Sequence, residues 1–143
     1  MTAAPMTGFL DALKADLEAA FPSAEVYRGE RTGKAVDKPK LCVFWSGSGE
    51  LAGRVQVGEA QVLVRYWPVT SKLRDQAVDG VRDPSELEQA GYDLQRALEA
   101  KQTAYGANGI WFVRLTSVEV DYDPDEWGVQ ATLTTQFRNP ATL

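Results

Sequence analysis

The residues best placed to do chemistry are the acids of the stretch DYDPDE, where Asp121, Asp123 and Asp125 alternate and Glu126 follows. Carboxylates at that spacing are hard oxygen ligands, and the three aspartates match the first three ligand positions of a calcium loop. Such a loop needs glycine at its sixth position and glutamate at its twelfth; Glu126 and Thr132 stand there. The acids therefore read as a solvated hairpin turn, with a weak cation site as the alternative. GERTGK, from Gly29 to Lys34, has the look of a phosphate loop. It is one residue short between its glycines, and Ala35 stands where a magnesium-binding Ser or Thr is required. The bland reading is a polar loop. Gly47, Gly49 and Gly53 lack dinucleotide-loop spacing, and no helical pattern follows them.

The chain contains no histidine. That removes the commonest general base, the Ser-His and Cys-His nucleophile pairs and most zinc sites. The lone Cys42 lies inside LCVFW, which fits a small buried apolar residue better than a reactive thiol and allows no disulfide within the chain. No cofactor is implied, and the chain is expected not to be an enzyme.

At 143 residues the expectation is one domain, with loose termini at 1–6 and 139–143. A chain of this size buries roughly 68–70% of its unfolded surface, enough to fold without a disulfide or metal. Lys and Arg number 15 against 20 Asp and Glu, a net charge of −5. That balance disfavours a protein that binds nucleic acid by neutralising phosphates, though not one that lines a passage for DNA. No signal peptide and no apolar run of membrane-spanning length is read, so the expectation is folding in a cytoplasm without a membrane partner.

The elements follow from periodicity. Phe9, Leu13, Leu17 and Phe21 recur every four residues, predicting a core-facing helix from a Thr7 cap to about Ala20. Glu25 to Arg28 is a short strand. Leu41 to Trp45 is almost wholly apolar, as in a strand covered on both faces near the middle of a sheet. SGSGELAG, 46–53, reads as a loop. Val55 and Val57, then Ala60, Val62, Val64 and Tyr66, make a strand whose phase slips at Gly58–Glu59, predicting a bulge or tight turn there. Residues 70–83 are polar, with a short helix expected around Lys72 to Val78. Asp83-Pro84-Ser85-Glu86 then caps a second helix running to about Ala100. Its mid-helix Gly91 is read as permitting close packing on the sheet. Ile110 to Leu115 is a strand with a bulge or bend near Ser117. Val118 to Tyr122 and Val129 to Phe137 alternate around the acidic turn as a β-hairpin. The fold class is α+β, a mixed or antiparallel sheet packed by two main helices in the order α-β-β-β-α-β-β, ending in that hairpin. Most of the aromatics are core, with Trp67 and Trp127 standing out as interface anchors.

Several stretches resemble the tail terminators of long-tailed bacteriophages, of the minor tail protein U type. They are EVYRG, KPKLCVFWSG, GEAQVLVRYWPV, DPSELEQAGYDLQRAL and VEVDYDPDEWGVQATLTTQF, spread over most of the chain from Thr7 to Arg138. Their order and the last hairpin carry the likeness. The resemblance implies a structural virion protein at the head-proximal end of the tail, assembled in the host cytoplasm. It implies a homohexameric ring that caps the tail tube, ends polymerisation of the tube protein and presents a surface to the head-tail connector or stopper. DNA would pass through without specific binding, and six copies at −5 each sum to −30, which would keep DNA off the wall. On this reading the loops 29–40, 46–54 and 70–83 make subunit, tube and connector contacts. Their interface residues are Arg31, Lys34, Glu50, Arg54, Lys72 and Arg74, with Trp67 and Trp127. Asp121, Asp123, Asp125 and Glu126 are lumen acids or weak cation ligands. Two alternatives stand beside it: another virion ring protein (a head-tail stopper or connector, or a tail-tube relative), and a small-molecule-binding α+β domain.

Overall fold

The computed structural model describes residues 5–29, 38–50, 57–68, 85–100, 110–121 and 128–138. In chain order the elements are α1 (Pro5–Ala20), β1 (Glu25–Arg28), β2 (Lys40–Glu50), β3 (Val57–Trp67), α2 (Ser85–Glu99), β4 (Ile110–Asp121) and β5 (Gly128–Arg138). The five strands form one mixed sheet in the order β1-β2-β3-β5-β4. β1 runs parallel to β2, and every other neighbouring pair is antiparallel. This is the expected α+β class and element order.

Both helices cover one face of the sheet. The four-residue spacing of α1 puts Phe9, Leu13 and Leu17 on that face, where each is at most 1% exposed. α2 adds Leu94 and Leu98, and the strands contribute Leu41, Val43, Val62, Val64, Val129, Ala131 and Leu133. Burying each large side chain of this kind stabilises the fold by about 2 kcal/mol. β2 is buried on both faces as its composition predicts, because Cys42 and Phe44 join Trp67 in a second cluster on the opposite side. Cys42 is accordingly a buried thiol.

Four local expectations are corrected. α1 begins at Pro5, two residues before Thr7, since proline's fixed φ suits the first helical turn. Residues 46–50 are not loop: β2 continues to Glu50, with Gly49 opposite Ala60 and Glu50 opposite Glu59. The slip assigned to Gly58–Glu59 lies in the partner strand. β3 holds unbroken register with β5 from Val57↔Arg138 to Tyr66↔Val129, and the shift is in β2 between Trp45 and Gly49. Serine and glycine there tolerate the irregular backbone of a bulge. Finally, Gly91 is not a steric necessity. A Cβ at that position would sit 3.7 Å from Val118 and Val129 methyls, ordinary contact distance.

The bulge expected near Ser117 is present. Leu115 opposes Leu133 and Ser117 opposes Thr132, so Thr116 is the extra residue and β4 runs through it as one strand. The Thr116 hydroxyl donates to the Thr132 carbonyl at 2.9 Å and lies 3.3 Å from the Thr134 hydroxyl. The short helix expected at 72–78 falls outside the described residues.

Candidate functional site

The sheet face away from the helices carries most of the strands' polar side chains. Alternation places Glu25, Tyr27, Lys40, Arg65, Gln130, Thr132, Thr134, Arg114 and Glu119 there, with Cys42, Phe44, Leu63 and Trp67 between them. At the β1 end, Glu25 sits opposite Lys40 in the ladder. Its carboxylate accepts from Lys40 Nζ at 2.6 Å and pairs with Lys38 Nζ at 2.7 Å, and the Tyr27 hydroxyl donates to it. The Lys38 ammonium above all, then Lys40 and the Tyr27 hydroxyl, pull the Glu25 carboxyl down to about 2. A carboxylate held ionised so far below neutrality cannot act as a general acid or base near pH 7. It serves to neutralise Lys40, which is only 6% exposed. On the helix side of the same strand, Arg28 reaches Asp11 of α1 at 2.7 Å.

Further along the face, the Arg65 guanidinium lies 5.1 Å from the centre of the Phe44 ring and donates from Nε to Gln130 Oε1 at 3.0 Å. Three strands are thereby tied side chain to side chain. Among the described residues the last strand on the other side is β4, which exposes Arg114, Thr116 and Glu119.

A separate cleft of about 540 Å³ opens where the C-terminal ends of α1 and α2 meet β3, lined by Ala20, Phe21, Tyr66, Asp93, Arg96, Ala97 and Ala100. The Phe21 and Tyr66 rings pack there at 5.0 Å, tilted by 52°. Burial, and then the nearby Asp93 charge, raise the Tyr66 hydroxyl above its ordinary value. It therefore stays protonated and is a hydrogen-bonding group rather than a nucleophile. The described residues of the cleft offer apolar area and hydrogen bonds but no nucleophile–base pair.

Of the residues singled out from the sequence, Trp67 is 3% exposed and packs with Cys42 and Phe44, so its side chain is part of the chain's own core and not a surface anchor. Its place beside Pro68 suggests a strand end; burial there depends on β2, which local sequence does not show. Glu50 lies in β2 and Asp121 at the end of β4, opposite Gly128. Arg31, Lys34, Arg54, Lys72, Arg74, Asp123, Asp125, Glu126 and Trp127 lie outside the described residues. Among the described residues no group of three His, Cys, Asp or Glu side chains could hold a metal ion, and no helix is long and apolar enough to cross a membrane. Sequence reasoning did not single out Arg65, nor the exposed Arg114 and Glu119 of β4. Their alternation with apolar neighbours was a readable signal. The cleft had none, because it is made by helix ends far apart in the chain. Compared with known proteins, the sequence matches no family model and no curated protein.

Proposed function

We propose that the protein is a structural ring component of a long-tailed bacteriophage virion, a terminator that caps the tail tube. In this reading six copies close a ring on the finished tube and stop further addition of tube subunits. The exposed side of the ring then receives the head-tail connector, and DNA passes through an acidic lumen. The observation that supports it best is architectural. The chain has the element order that the resemblance implies, with a long final hairpin (β4 and β5) completing a two-layer α+β subunit. The polar clusters agree with structural work, since Glu25, Lys40 and Arg65 are engaged with one another or with neighbouring strands rather than aimed at a reacting group.

The test is native mass over a concentration series, alone and with polymerising tube protein, with tubes viewed by electron microscopy. A closed six-subunit species that binds tube ends and shortens the tubes is expected. Open-ended polymers of the chain itself would make it a tube relative, and tubes of unchanged length would end the terminator reading. The cleft beside Tyr66 favours a second reading, a small-molecule-binding domain. That one requires a ligand-dependent rise in melting temperature.

A further inference from the structure

We propose that the cleft beside Tyr66 binds a free α-amino acid with an aromatic side chain. The proposal rests on the small-molecule reading of that cleft and is independent of the ring. Asp93, Arg96, Tyr66 and Phe21 supply its walls with one acid, one base, one hydroxyl and a pair of rings. Its volume of about 540 Å³ falls among those of pockets that hold small molecules.

Asp93 and Arg96 stand three residues apart on α2, so their side chains share one face, with Cβ atoms roughly 5–6 Å apart. An ion pair is the ordinary outcome of that spacing, yet none joins them, and the Arg96 guanidinium has no partner among the described residues. Asp93 is engaged elsewhere. Gln89 Nε2 donates to its Oδ1 at 2.9 Å from one turn back, which leaves Oδ2 without a partner among the described residues. Tyr66 is half-buried, and its hydroxyl has no hydrogen bond among the described residues either. A sheltered hydroxyl in that state costs free energy until something meets it. A carboxylate oxygen, a guanidinium and a hydroxyl thus border one space with their bonding capacity unused.

A ligand that meets all of them needs a cation and an anion close together. In an α-amino acid the ammonium nitrogen and the carboxylate carbon flank one carbon, about 2.5 Å apart. The ammonium goes to Asp93 Oδ2, and the carboxylate takes the Arg96 fork and the Tyr66 hydroxyl. The backbone agrees with that orientation. Ala20 ends α1 and Ala100 follows α2, so the negative ends of two helix dipoles border the cleft. α1 has no basic residue in its last turn to offset its own. An ammonium is favoured there and a lone anion opposed, while Arg96 opposes an amine that brings no carboxylate. For the side chain, the Phe21 and Tyr66 rings, 5.0 Å apart and tilted by 52°, form a wall on which a third ring packs. Ala20, Ala97 and Ala100 are too small to cover it.

The test is isothermal titration calorimetry of the full chain, with far-ultraviolet circular dichroism to verify that each variant folds. The probes are phenylalanine, phenethylamine (no carboxylate), 3-phenylpropionate (no ammonium) and glycine (no ring). Phenylalanine should bind about tenfold tighter than any of the others. Arg96→Gln should weaken phenylalanine about tenfold without weakening phenethylamine, and Asp93→Asn should do so without weakening 3-phenylpropionate. Equal affinity for phenylalanine, phenethylamine and 3-phenylpropionate overturns the proposal and leaves an apolar small-molecule cleft standing. Glycine bound as tightly as phenylalanine overturns the part given to the rings. Folded variants that bind phenylalanine like the wild type overturn the part given to the charges. If no probe binds up to millimolar concentration, the proposal and the small-molecule reading of the cleft fall together.

Discussion

Glu25 and Gly91 show how much a single residue's setting decides. The Glu25 carboxyl is held at about 2 against an ordinary 4.5, so through that window the unfolded chain binds more protons than the folded one. The stability it contributes is complete above pH 4.5 and is lost as pH falls through 2. Urea denaturation of wild type and Glu25→Gln should show a gap in midpoint at neutral pH that closes on acidification toward pH 2. A gap of constant size would mean that the lysines contribute nothing specific. Gly91 makes the opposite case, a residue whose backbone freedom the structure does not use. It lies inside α2 with no positive φ recorded, and an added methyl would reach only van der Waals contact with Val118, Val129 and Val120. Gly91→Ala should therefore raise stability by about 0.5–1 kcal/mol, a melting temperature higher by about 3 °C. A fall in melting temperature would show that the interface is tighter than these distances say.

At the scale of elements, the β4–β5 hairpin is where the chain was most legible and where its irregularity matters most. Val129, Ala131 and Leu133 alternate with Gln130, Thr132 and Thr134, and the sheet buries the first set as period two requires. The phase break between Leu115 and Val118 was visible for the same reason. Two apolar rows out of step can share one face only if a residue is inserted between them. The break in β2 was misassigned because Gly58 and Ser46–Gly49 are equally permissive, and only the pairing with β5 shows which strand is regular. Trp67's burial and the cleft beside Tyr66 were illegible for a different cause: each needs contacts between segments that local patterning does not link. The bulge gives a direct test. Thr116→Val keeps the register and removes one hydrogen bond to the Thr132 carbonyl, so it should cost about 0.5–1.5 kcal/mol. Deleting Thr116 removes the inserted residue and leaves V-R-L-S-V-E-V in unbroken alternation, with Leu115 still opposite Leu133 and Ser117 opposite Thr132, so the variant should still unfold cooperatively. A deletion variant that fails to fold would mean that the sheet depends on the local bend and twist the bulge supplies.

For the whole molecule, charge makes the sharpest statement. A net −5 on the chain sets up a field that disfavours phosphate near the surface and is screened beyond about 10 Å at ~0.1 M salt. The cations of the stretch RTGKAVDKPK are the natural place for a local exception, yet two of them, Lys38 and Lys40, are paired with Glu25. Arg31 and Lys34 are then too few to supply the several phosphate contacts that sequence-independent binding needs. Labelled duplex DNA titrated with the protein at low salt should therefore show no change in fluorescence anisotropy, with or without tube ends present. If association appeared and weakened steeply with added salt, a basic surface would be outweighing the net charge. DNA would then be held rather than passed, and the proposed acidic, non-adhesive passage would fail.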